Sequence, residues 1–73
     1  MGRVNVVAEV TGTIWKIEAA PGTAVEPDDV IILVESMKME IPVVATDAGK
    51  VAEILVQEGE AVQEGQTVAV ITT

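Results

Sequence analysis

The chain has 73 residues, with twelve acids against four bases, a formal charge of −8, no cysteine and no histidine. That length suits one domain rather than two, spanning 1–73, and a domain this small hides only about 60% of its unfolded surface. The composition excludes disulfides, thiolate or imidazole metal sites and Ser-His or Cys-His nucleophile pairs, and the charge would repel a phosphate backbone, so no nucleic acid is expected as a partner.

No apolar run approaches the ~20 residues of a membrane span, so no membrane is expected either. Met1 to Val10 lack the basic-then-apolar order of a secretion signal, which points to a cytoplasmic location. The apolar half of the composition is mainly Val and Ile, whose branching at Cβ favours strands. No segment shows an apolar stripe at helical spacing. Strands are expected near 4–10, 12–18, 24–26, 30–36, 39–45, 49–56, 61–63 and 67–72. Turn signals separate most of them: Pro21-Gly22, Pro27-Asp28-Asp29, Asp47-Ala48-Gly49, Glu58-Gly59 and Glu64-Gly65. Short strands between regular turns indicate an all-β sandwich or barrel. Its core must be aliphatic, because Trp15 is the one aromatic residue.

The sequence repeats itself at an offset of 37 residues, without a gap from Val6 to Glu35. Val6-Val7-Ala8 returns as Val43-Val44-Ala45, Gly12 as Gly49, Gly22 as Gly59 and Ala24-Val25 as Ala61-Val62. Ile14 and Ile17 stand three apart, as do their counterparts Val51 and Ile54, so both copies need a bulge, near Trp15-Lys16 and near Ala52-Glu53. Neither copy can cover both faces of its strands alone, so the two are expected to pack together about a two-fold axis. The junction between them then maps onto the chain ends, Ser36 onto Thr73 and Lys38 onto Met1, and its tip projects away from those ends.

That junction reads Glu35-Ser36-Met37-Lys38-Met39-Glu40 and holds no turn glycine. Four readings compete for Lys38. It is a solvated turn lysine, with the methionines as core filler and the glutamates as a wet edge. It is a catalytic Schiff-base lysine, which needs a depressed pKa that Glu35 and Glu40 oppose. Or it is an acylation handle, for biotin or for lipoic acid. In an extended strand Met37 and Met39 would share one face and Lys38 the other, a surface suited to recognition by another protein. A handle needs no self-activation, only exposure on a rigid, projecting support.

Met37-Lys38-Met39, with Glu35 before and Glu40 after, resembles the attachment motif of the biotinyl domains, the biotin carboxyl carrier family of biotin-dependent carboxylases. Val44-Ala45-Thr46-Asp47-Ala48-Gly49-Lys50-Val51 resembles the family's strand and turn after the hairpin, and Val56 to Gln66 its closing turns. The resemblance implies a flattened barrel of two four-stranded antiparallel sheets with a pseudo-two-fold axis. It implies biotin as covalent cofactor on Lys38, loaded by a biotin protein ligase, with Met37 and Met39 in ligase or partner recognition and Glu35, Ser36 and Glu40 flanking the hairpin. The carrier would receive a carboxyl group at a biotin carboxylase and deliver it to an acyl-CoA at a carboxyltransferase, catalysing neither step. Ser36 stands where alanine is common in the family, and Glu9-Val10-Thr11-Gly12 where a Pro-Met-Pro-Gly-like element is common. The gapless repeat leaves no room for the protruding thumb of some bacterial members. Lipoyl domains share fold and repeat but place their lysine in an Asp-Lys-Ala pattern, and an unmodified interaction module of the same fold is the other alternative. Lys16 and Lys50 are expected to face solvent from strands, Asp28-Asp29 to be solvated turn acids rather than a metal site, and Trp15, the counterpart of Ala52, to pack in the core or at an edge, with a binding role as its alternative.

Overall fold

The computed structural model describes residues 2–73 and is built of strands: β1 (Arg3–Val7), β2 (Gly12–Ile17), β3 (Ala24–Val25), β4 (Val30–Ser36), β5 (Met39–Val44), β6 (Gly49–Ile54), β7 (Ala61–Val62) and β8 (Thr67–Thr72). They form two four-stranded antiparallel sheets, β1-β8-β6-β3 and β5-β4-β2-β7. No helix among the described residues is long and apolar enough to cross a membrane. All eight expected strands are present, and β4 and β8 have the expected bounds. β1 ends three residues early, at Val7. Ala8 leaves the sheet because its N–H and C=O are taken by Gln66 O (2.9 Å) and Gly65 N (2.8 Å) of the loop opposite.

Adding four to each strand number turns one sheet order into the other, which is the two-fold relation the repeat requires. Each sheet contains strands of both copies, so neither copy is a layer on its own. The irregularities are paired as well. β2 skips Trp15 opposite β4, and β6 skips Ala52 opposite β8. A second pair of bulges falls at Ile31 in β4 and Val68 in β8, both fully buried. Turn hydrogen bonds repeat likewise: Gly22 N–Val51 O and Gly59 N–Ile14 O are both 2.7 Å.

The core consists of Val, Ile and Ala from both sheets, with Ile14, Ile31, Ile32 and Ile71 the largest fully buried side chains. Gly12 and Gly49 occupy matching close approaches. A Cβ on Gly12 would run into the Glu35 carbonyl and one on Gly49 into the Thr72 carbonyl, each also 2.9 Å from a core methyl.

Trp15 corrects an expectation. It is neither in the core nor on an edge strand, but 48% exposed on the outer face of β2, between β4 and β7. The bulge turns Trp15 and Lys16 to the same outer side, while Ile14 before them points into the core and Ile17 after them packs against it. Lys16 and Lys50 are exposed, as expected. Asp29 Oδ2 accepts the Glu26 N–H at 2.9 Å, and Asp28 is left-handed (φ 75°), which gives the acidic pair a turn-forming part.

Candidate functional site: the Lys38 hairpin

β4 and β5 form a hairpin whose last ladder pair is Ser36–Met39. Met37 and Lys38 are therefore the whole loop, and both are left-handed, at φ 52° and 64°. This is the backbone of a type I′ turn, whose twist matches that of the flanking strands and which normally takes Asn-Gly or Gly-Gly. The expected extended run with Met37 and Met39 on one face is thereby corrected. Met37 lies at the turn and is 92% exposed, Met39 opens β5 at 63%, and neither fills the core. Lys38 is exposed at the apex, and among the described residues its ammonium makes no ion pair.

Beneath the apex the hairpin is held on several sides. Ser36 Oγ donates to the Thr11 carbonyl at 2.9 Å, and Thr11 Oγ1 accepts the Glu64 N–H at 3.1 Å. Gly12 lets β2 press against the Glu35 carbonyl. Glu35 and Glu40 face each other across the ladder on the outer surface, like charges that cost the hairpin a few tenths of a kcal/mol, roughly. The result is a firmly seated base under a turn with an apolar and cationic tip.

The hairpin and the chain ends lie on opposite sides of the axis. β1 and β5 approach each other where Asn5, Val6 and Val7 and their counterparts Pro42, Val43 and Val44 line a shallow recess. From that meeting point β5 leads back to Lys38 in one direction and β1 to the N-terminus in the other. Gly2 and Thr73 are bonded to each other (Thr73 N–Gly2 O 2.9 Å), while Ser36 bonds to Thr11. The counterpart predicted for Lys38, Met1, lies outside the described residues. The molecule measures 36 × 17 × 17 Å, so the tip stands at one end of a narrow body.

The whole constellation that sequence reading assembled, Glu35 to Glu40, is thus brought together at one end. What it missed was the Ser36–Thr11–Glu64 connection, since nothing in the sequence links residues so far apart. An exposed primary amine on a two-residue turn suits amide formation.

Comparison with known proteins agrees with this geometry. The family model described as "Biotin-requiring enzyme" matches residues 3–71. The chain is 40% identical over 68 residues to a biotinylated protein homologue of Mycobacterium leprae, covering 93% of this chain and 96% of that protein. It is 39% identical over 62 residues to the biotin/lipoyl attachment protein of Bacillus subtilis, covering 85% of each. The crystal structure of the Kluyveromyces lactis urea carboxylase superposes with a TM-score of 0.94 at 43% identity, over 99% of this chain but 6% of that one. On the match over nearly its whole length, the chain belongs to the biotin/lipoyl attachment family.

Proposed function

We propose that Lys38 carries biotin as an amide on Nζ and that the chain, as a single domain over residues 1–73, works as a biotin carboxyl carrier without catalysing a step itself. The observation that supports this most is the exposed Lys38 amine at the apex of a two-residue turn, at one end of a body 36 Å long. Biotin, when bound, supplies a ureido nitrogen able to hold and release a carboxyl group. The chain's own residues do something simpler. The sandwich fixes the Lys38 Cα, Ser36 and Gly12 fix the base of the hairpin, and the side chain remains free to swing. Tethering makes each encounter with an active site partly intramolecular. Acylation also removes one positive charge, so the loaded tip becomes uncharged and a partner can tell it from the empty one.

The reading extends to three partners: a biotin protein ligase that loads Lys38, a biotin carboxylase and a carboxyltransferase. Met37 and Met39 offer those enzymes a flexible apolar contact on either side of the lysine. We take the final acceptor to be an acyl-CoA. The urea carboxylase relative makes urea the competing acceptor, and transfer assays with both compounds distinguish them.

Co-expression with a biotin protein ligase, followed by intact-mass measurement, tests the assignment. We expect the mass addition of one biotinyl group on the wild type and none on Lys38→Arg. A lipoyl addition, no addition, or an addition that survives Lys38→Arg would each overturn it.

A further inference from the structure

The duplicated fold offers an internal comparison. Residues 37 apart in sequence occupy equivalent places, so where they differ, the surface differs while the fold does not. On the outer face of the β1-β8-β6-β3 sheet the middle row is Asn5–Val70–Glu53. Val70 is 4% exposed although it lies outside the core cluster. The Arg3–Glu53 ion pair, 3.3 Å, joins β1 to β6 across β8, the strand that bears Val70.

The equivalent row of the other sheet is Pro42–Leu33–Lys16. The counterparts of Arg3 and Glu53 there are Glu40 and Lys16, which could form the same bridge with reversed sign. Lys16 Nζ instead lies 3.5 Å from Glu18 Oε1, and Leu33 remains half-buried. Beside it the bulge turns Trp15 outward where the other half has Ala52. Exposed Pro42 replaces Asn5, and Met39 replaces Gly2. Each exchange adds apolar surface to the sheet that carries Lys38.

We propose that this face, centred on Trp15, Leu33 and Pro42, is where a biotin protein ligase docks, through an apolar contact edged with lysine or arginine. The proposal rests on Lys38 being the attachment residue. Its first support is area. The hairpin tip presents Met37, Lys38 and Met39, whereas a standard specific interface takes about 20–30 residues on each partner. An enzyme acting on Lys38 must therefore also cover a flank. Leu33 lies three residues below Ser36 on β4, about 10 Å along the strand, within reach of such an interface. The second support is charge. Glu35 and Glu40 stand between the patch and the tip, and Lys16, the cation beside it, is already paired. A basic rim complements that edge, and a guanidinium can stack on the Trp15 indole. The third is reach. The ligase must bring its active site to a bare lysine, close to the hairpin backbone, while enzymes that use the loaded arm meet a much longer tether and need less of the body.

The test replaces residues with their own counterparts, which the fold already holds at equivalent places: Trp15→Ala, Pro42→Asn, and the triple Trp15→Ala/Leu33→Val/Pro42→Asn. Ala52→Trp on the opposite face is the control. Circular dichroism checks folding, and either single variant suffices if the triple does not fold. Initial biotinylation rates with a biotin protein ligase, biotin and ATP are measured against carrier concentration. We expect KM to rise about tenfold in the triple and several-fold in Trp15→Ala, with kcat within about twofold, no change for Ala52→Trp, and complete loading by intact mass at long times. A KM unchanged in the triple would overturn the proposal, as would a loss confined to kcat. So would a wild type that elutes as a dimer and a triple that elutes as a monomer, since a second copy would then cover the face. A wild type that the ligase cannot load at all removes the attachment reading itself, a result distinct from loaded variants with unaltered KM.

Discussion

Lys38 sits in a turn that its own side chains disfavour. Two consecutive non-glycine residues in the left-handed region cost roughly 1–2 kcal/mol each, so Met37 and Lys38 are held there by the surrounding ladder, by Ser36 and by the close fit of Gly12. Met37→Asn, a residue suited to the first position of a type I′ turn, should raise stability by about 1 kcal/mol in urea unfolding. The same variant should be loaded more slowly by a biotin protein ligase, and a gain in both quantities would argue against a recognition role for Met37. Met39→Leu conserves volume at an exposed position and should leave stability within about 0.5 kcal/mol of wild type. At this scale the sequence was informative about identity and poor about conformation. The lysine, its flanking methionines and their acids could be picked out from the repeat, but a two-residue left-handed loop without Gly or Asn carries no local signal. It exists because the strands on either side impose it.

Among the elements, the matched bulges and matched glycines show how each half is built. Gly12→Ala and Gly49→Ala should each cost more than about 2 kcal/mol, because the added methyl meets backbone carbonyls of Glu35 and Thr72 that cannot move without breaking a ladder. Thermal unfolding of the two variants should show similar losses, and a harmless Gly49→Ala would contradict the close approach. At the equivalent turn positions Asp28 and Gly65, both left-handed, opposite outcomes are expected. Gly65→Ala should lose about 1–2 kcal/mol, while Asp28→Gly should be neutral or stabilising by under about 1 kcal/mol. The strands near 30–36 and 67–72 were legible to the residue because a turn signal precedes each, Pro27-Asp28-Asp29 and Glu64-Gly65, and their apolar content is continuous. The end of β1 was not, since Ala8-Glu9-Val10 holds no turn residue and Ala8 leaves the sheet only through bonds to a loop almost sixty residues away.

At the scale of the whole molecule, a charge of −8 on 73 residues acts against compaction. The described residues hold two ion pairs, Arg3–Glu53 and Lys16–Glu18, both on the surface, and such pairs contribute little. Self-repulsion should therefore dominate. Raising salt from about 0.01 to 0.5 M should screen it and stabilise the fold by on the order of 1 kcal/mol, a rise of about 4–8 °C in Tm. A melting temperature that falls with salt would mean that the two pairs outweigh the repulsion. The sequence by itself determined the strand content, the duplication, the aliphatic core and the residue at the junction, because each depends on local preference or on residues matched along the chain. Only the tertiary structure decided the interleaving of the two copies, the left-handed turn under Lys38 and the outward Trp15. Those depend on which distant strands share hydrogen bonds and where a bulge reverses the facing of a side chain, and neither is set until the sheets close on each other.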